Sequence, residues 1–98
     1  MSLPITFRAE AKADIRQIFR HLEQTQHDLG KKFTKRLREV LKRIDTFPHL
    51  YGVTYREVRV ARLRKWPHIV CYRVLPARIE VVAVVHGSRN DLIWKSRV

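Results

Sequence analysis

The sequence predicts an α+β fold: an antiparallel sheet covered on one face by an N-terminal helical hairpin, in the order β-α-α-β-β-β with a short C-terminal tail. Three observations carry this. Two successive segments of the first half repeat apolar residues at helical spacing. The pattern then changes to alternation after Gly52, and Val81 to Val85 is apolar at every position. The 98 residues form a single domain, 1–98, too short for two.

Leu3 to Phe7, with Pro4 at its edge, reads as a first strand. Glu10 to His27 carries the stripe Ala11, Ile15, Ile18, Phe19 and Leu22, which falls on one helical face. Asp28-Leu29-Gly30 breaks that run, with Asp28 placed to cap the next helix. That helix spans Leu29 to Thr46 through Phe33, Leu37, Val40, Leu41 and Ile44, and Pro48 and Gly52 bracket its end. Its other face holds Lys31, Lys32, Lys35, Arg36, Arg38, Lys42 and Arg43, the composition of a solvated face. The short connection makes the two helices an antiparallel hairpin.

Tyr55 to Arg62 alternates, with Val58 and Val60 on one side and Glu57 and Arg59 on the other. Trp66 to Leu75 and Ile79 to Val85 are β-rich runs joined around Pro76-Ala77, a hairpin with the Tyr55 strand beside it. Val81 to Val85 is expected to be the central strand, because both its faces are apolar. The tail from Asn90 to Val98 is amphipathic, with Ile93 and Trp94 as anchors. The sheet face away from the helices is then a concave basic surface. Arg59, Arg73 and the strand end at His86 and Arg89 are expected to point to it.

Charge narrows the function. Lys plus Arg is 21 and Asp plus Glu is 9, so 21 − 9 gives +12. Such a surplus repels itself unless an anionic partner offsets it. Arg outnumbers Lys 14 to 7, which favours bidentate recognition of phosphate or carboxylate over mere solubility. A single cysteine, Cys71, forms no intrachain disulfide and no cysteine metal cluster, and it reads as a small core residue in a reducing, cytoplasmic setting. His21, His27, His49 and His68 show no metal spacing, so neither a metal nor a cofactor is expected. Charged residues interrupt the apolar run from Ile69 to Val85, so no membrane span is expected.

The motif that carries chemistry is His86-Gly87-Ser88-Arg89-Asn90-Asp91, directly after the apolar strand. Gly87 permits a sharp turn or a close approach. A histidine, an arginine and a carboxylate within six residues suit acid–base and phosphate work. A turn in which Arg89 pairs with Asp91 fits the same spacing equally well.

Arg64 to Val74, with its Trp66-Pro67-His68 and Tyr72-Arg73-Val74, resembles the aromatic-Pro-aromatic and Tyr-Arg-Val strand of the RelE/ParE toxins of bacterial toxin–antitoxin modules. Ile79 to Asp91, followed by Trp94 and Arg97, resembles that family's valine-rich strand and its His-Gly-x-Arg, acidic, Trp, Arg ending. Ala13-Asp14-Ile15 with Ile18, and Phe33, Leu37 and Leu41, fit its two helices.

The resemblance implies a basic toxin neutralised by a cognate antitoxin with an acidic or amphipathic C-terminal segment. Two activities follow from it. A ParE-like member binds DNA gyrase without catalysis, and Arg89, His86, Arg73, Arg59, Trp94 and Arg97 are then the target-binding candidates. A RelE-like member cleaves mRNA on the ribosome, and the catalytic candidates become His86, Arg89, Arg73, Arg59 and His68. The His-Gly-x-Arg ending resembles the ParE-like pattern more closely, and Ile69, or His68 if the register slips by one, stands where a RelE-like arginine is expected. A third reading is a non-toxic basic nucleic-acid-binding module.

Overall fold

The computed structural model describes residues 3–88 and 91–98. The chain runs β1 (Ile5–Phe7), α1 (Ala9–Thr25), α2 (Leu29–Thr46), β2 (Val53–Tyr55), β3 (Val58–Arg62), β4 (His68–Val74), β5 (Ile79–His86) and α3 (Leu92–Lys95). The strands form one sheet in the order β1-β5-β4-β3-β2. The α+β fold with a helical hairpin on one sheet face stands as expected, with four differences in how the strands are used.

The sheet is mixed. β2 to β5 are antiparallel, but β1 pairs parallel to β5, with Ile5 opposite Ile79. β4 is therefore the middle strand and β5 its interior neighbour. The expected single strand from Tyr55 is a hairpin. Arg56 and Glu57 both take positive φ (44° and 67°), the conformation a two-residue turn demands and usually fills with Asn-Gly. No glycine marks it in the sequence. Finally, the register between β4 and β5 slips at Cys71/Tyr72, where Cys71 faces Ala83 and Tyr72 faces Val81. Val82 is the extra residue of a bulge, which re-aims everything after it.

That bulge divides the valine run between two cores. Val81 and Val84 join Phe33, Leu37, Val40, Ile44, Val70 and Tyr72 under the helices. Val82 and Ala83 face the other way, against Val58, Ile69, Cys71 and Trp94. The second face is thus not an open basic surface, because the C-terminal tail covers part of it. Trp94 is buried there, whereas Ile93, the other expected anchor, is 49% exposed.

The helical hairpin turns tightly. A Cβ on Gly30 would lie 2.8 Å from the Phe19 ring and 2.9 Å from Glu23, so only glycine lets the helices approach there. Asp28 does not cap α2; it sits in the left-handed region at φ 66° with no capping bond. Glu23 reaches across from α1 instead and accepts the N–H groups of Asp28 (3.3 Å) and Gly30 (3.1 Å). A carboxylate suits the free N–H groups and positive dipole end of a helix.

β1 ends at Phe7, and the edge of β5 continues beyond it. Two side chains complete that edge. Asp14 of α1 accepts the Val84 N–H at 3.1 Å. Arg97 of the tail donates to the Val82 carbonyl at 3.2 Å. The two also pair bidentately, at 2.7 and 3.2 Å. Arg8 donates to the Arg97 carbonyl, tying the tail further to the start of α1. Hydrogen bonding to Asp14 is the largest cause that pushes the Arg97 guanidinium further up and holds it charged.

Both side chains of the pair are only 15% exposed. Asp14→Ala or Arg97→Ala is expected to cost about 1.5–3 kcal/mol, the scale for hydrogen bonds to a charged group. The double variant should cost less than the sum of the two. Urea unfolding of the three variants checks this, and strict additivity would show that the pair is not coupled.

Candidate functional site

The bulge at Val82 decides where His86 points. Strict alternation from Ile79 puts His86 on the face away from the helices. With one extra residue inserted, Val84 and His86 turn to the helix side. His86 then lies opposite His68, the first residue of β4. Their rings are 5.4 Å apart, edge to face. The expectation that His86 lies on the face clear of the hairpin is therefore corrected. Arg89, expected beside it, lies outside the described residues.

His68 is 9% exposed. Its ring packs edge-on against Phe33 of α2 at 5.1 Å and near Trp66 at 5.9 Å. Its Nδ1 is buried without a hydrogen-bond partner. Burial, with a smaller contribution from His86, lowers its pKa below the ordinary 6.5, so it is neutral at physiological pH.

His86 sits at the rim. Its Nδ1 accepts the Ser88 backbone N–H at 3.1 Å and contacts the Ser88 hydroxyl at 2.7 Å. A backbone N–H only donates, so Nδ1 is the bare nitrogen and Nε2 carries the proton. Gly87 is there for closeness. Its N–H bonds the Pro67 carbonyl at 2.7 Å, and a Cβ would stand 2.8 Å from that same oxygen. The Arg62 guanidinium lies 3.5 Å from the same point. Sequence reasoning missed Arg62; the register Arg62 opposite Ile69 and Ile69 opposite Val85 brings it here.

One end of the sheet thus gathers His68, Trp66, His86, Ser88 and Arg62. The other candidates do not converge. Arg59 lies on the helix side, like Ala61, not on the opposite face. It straps the loop after α2 by donating to the carbonyls of Tyr51 (2.5 Å) and His49 (3.4 Å). The reason is that Val58 and Val60 fill the second core rather than the first. Arg73 is on the opposite face, as expected, but pairs with Glu80 at 2.9 Å, which also holds Arg78 at 3.4 Å. Arg97 is the sheet-edge clasp, and Trp94 packs against Tyr55 with ring centroids 6.1 Å apart. Cys71 is buried, and its thiol is pushed up to about 12 by that burial. Among the described residues no group of three His, Cys, Asp or Glu side chains is placed to hold a metal. No helix among them is long and apolar enough to cross a membrane.

The helical hairpin on a five-stranded mixed sheet, ending in this His-Gly strand end, is the α+β architecture that the resemblance to the RelE/ParE family implied. Residues 5–91 match the family described as the ParE toxin of the type II toxin-antitoxin system, parDE, and the chain belongs to that family. Among solved structures, the chromosomal ParDE toxin–antitoxin system from P. aeruginosa contains a chain with the same fold. It aligns with a TM-score of 0.74 at 19% identity, covering 87% of this chain and 96% of that one. No curated protein gives a significant match.

The site makes stability depend on pH. Because the folded His68 pKa lies below its unfolded value, the unfolded chain takes up the proton first as pH falls. Stability is therefore full above about pH 6.5 and is lost as pH drops through the folded pKa. Urea midpoints between pH 8 and 5 should show that loss, and His68→Phe should flatten the curve. An unchanged wild-type midpoint at pH 5 would refute a buried neutral His68.

Proposed function

We propose that this ParE-family toxin acts on DNA gyrase as a binding inhibitor, without catalysis, and is neutralised by a cognate antitoxin. The observation that carries the reading is the dispersal of the candidate arginines. Arg59 straps a loop on one face, Arg73 is paired with Glu80 on the other, and Arg97 closes the sheet edge. A nuclease needs such groups converging on one phosphate. What does face solvent is suited to docking: Ser88 after the strand end, beside the half-buried His86, and Leu92 and Ile93 of α3, which are 64% and 49% exposed.

A second reading has one observation behind it. The His68–His86 pair, 5.4 Å apart at the sheet end, offers two imidazoles for proton transfer in a RelE-like ribonuclease. Purified toxin separates the two readings. Gyrase supercoiling should be inhibited, ribosome-bound mRNA should stay intact, and Arg89→Ala should lose growth arrest while keeping the far-UV circular dichroism of the parent. Codon-position cleavage slowed about 10²–10⁴-fold by His86→Ala, the scale for losing a general acid or base, would establish the ribonuclease instead.

The antitoxin is expected to present an acidic segment with apolar anchors. The +12 charge steers such a segment. Phe47, Leu50 and Val53, all more than half exposed beside the edge strand β2, give apolar residues a place to dock. Stopped-flow association of toxin and antitoxin should slow as salt rises from about 50 to about 500 mM. A salt-independent on-rate would remove steering from this account.

A further inference from the structure

The gyrase and antitoxin readings leave the back of the helical hairpin without a role, although it carries much of the positive charge. On α1, Lys12, Arg16 and Arg20 recur every four residues and are exposed. On α2, Lys31, Lys35, Arg38 and Lys42 recur at steps of four, three and four and are also exposed. Residues at such spacing share one helix face. The buried residues Ala11 on α1 and Phe33, Leu37, Val40 and Ile44 on α2 take the face toward the sheet, so both cationic rows look outward.

Few of these cations are neutralised within the chain. Lys31 reaches Asp28 at 3.3 Å, and Glu39, which lines the same groove, is held by Arg36 at 3.1 Å. Among the described residues, Lys12, Arg16, Arg20, Lys35, Arg38 and Lys42 make no ion pair. Six unpaired cations on one face repel one another, and an external polyanion relieves that repulsion.

We propose that this face binds the sugar–phosphate backbone of duplex DNA, without sequence readout. The geometry points to a duplex. The α2 row from Lys31 to Lys42 is about 16 Å long at 1.5 Å per residue. Packed helices lie about 8–10 Å apart, so two outward rows on such helices are spaced on the scale of the major groove's width of about 12 Å. Each row can then follow one phosphate strand. The phosphate strands of duplex RNA flank a deep, narrow major groove instead, a spacing the two rows match less well. Single strands are held by stacking on aromatic rings, and the ring in this groove, Phe19, is half-buried against Gly30. The two cationic rows share no residue with the His86 strand end or the Phe47–Val53 edge, so the proposal does not depend on either docking reading.

Fluorescence anisotropy with a labelled random-sequence duplex of about 24 base pairs tests it, using the full chain. The triple variant Lys35→Ala, Arg38→Ala, Lys42→Ala is compared with a control that removes the same charge elsewhere, Arg56→Ala, Arg64→Ala, Lys65→Ala. The expected result is binding at about 100 mM salt that weakens at least about tenfold in the first variant and little in the control. The slope of log K against log salt should fall by about 2–3 in magnitude in the first variant, at roughly 0.9 for each phosphate no longer neutralised. Equal weakening in both variants would reduce the effect to net charge and overturn the site. So would equal affinity for duplex RNA or single-stranded DNA, or no duplex binding at that salt concentration. Loss of antitoxin binding in the first variant with duplex binding intact would assign the face to an acidic peptide and overturn the proposal as well.

Discussion

The open edge of β5 beyond Phe7 organises much of this molecule. An interior strand needs hydrogen bonds on both sides, and β1 covers only Ile79 to Val81. The edge continues as the carbonyl of Val82 and the N–H of Val84, which would be costly to leave unpaired. The chain meets them with one carboxylate from the first helix and one guanidinium from the last residues. Because Asp14 and Arg97 also pair with each other, a single clasp joins α1, the sheet and the tail. It brings the tail back over the second sheet face, where Trp94 is buried.

The consequences reach the strand end. With the tail held down, Val82 can bulge toward Trp94 and Cys71, and the bulge turns His86 toward His68. Gly87 then passes close enough to the Pro67 carbonyl to bond it. The loop between α2 and β2 is held in the same manner, by side chains rather than by regular pairing. Tyr72 donates its hydroxyl to the Pro48 carbonyl at 2.7 Å, and Arg59 takes the carbonyls of Tyr51 and His49. Burial pushes the Tyr72 hydroxyl up to about 12, which keeps it a donor at any physiological pH. Polar side chains that look like functional groups in the sequence are here the fasteners of irregular backbone.

This division of labour explains how a small basic domain keeps separate surfaces. Arg59, Arg73, Arg78 and Arg97 are spent inside the chain, on carbonyls and carboxylates. The remaining cations concentrate on the helical hairpin, and apolar exposure concentrates at Phe47, Leu50, Val53, Leu92 and Ile93. Membership of the ParE toxin family of type II toxin–antitoxin systems gives these surfaces a context in which a toxin is paired with an antitoxin.

Local periodicity was enough to read the helices. α2 runs from Leu29 to Thr46 as its stripe requires, and Phe33 and Leu37 are buried as that stripe predicts. β4 and β5 were legible for the same reason, within the runs Trp66 to Leu75 and Ile79 to Val85, as was the sequence pattern of the toxin family. Four features were not legible. A three-residue β1 holds no record of its partner's direction, and the Arg56-Glu57 turn lacks the glycine that marks such turns. An all-apolar run from Val81 to Val85 hides a bulge, since every register leaves an apolar residue on each face. The roles of Arg59 and Arg97 depend on carbonyls that only distant pairing exposes. Periodicity is written by neighbours along the chain. Register, strand direction and the partner of a charged side chain are settled between segments as far apart as Asp14 and Arg97, so only the folded structure decides them.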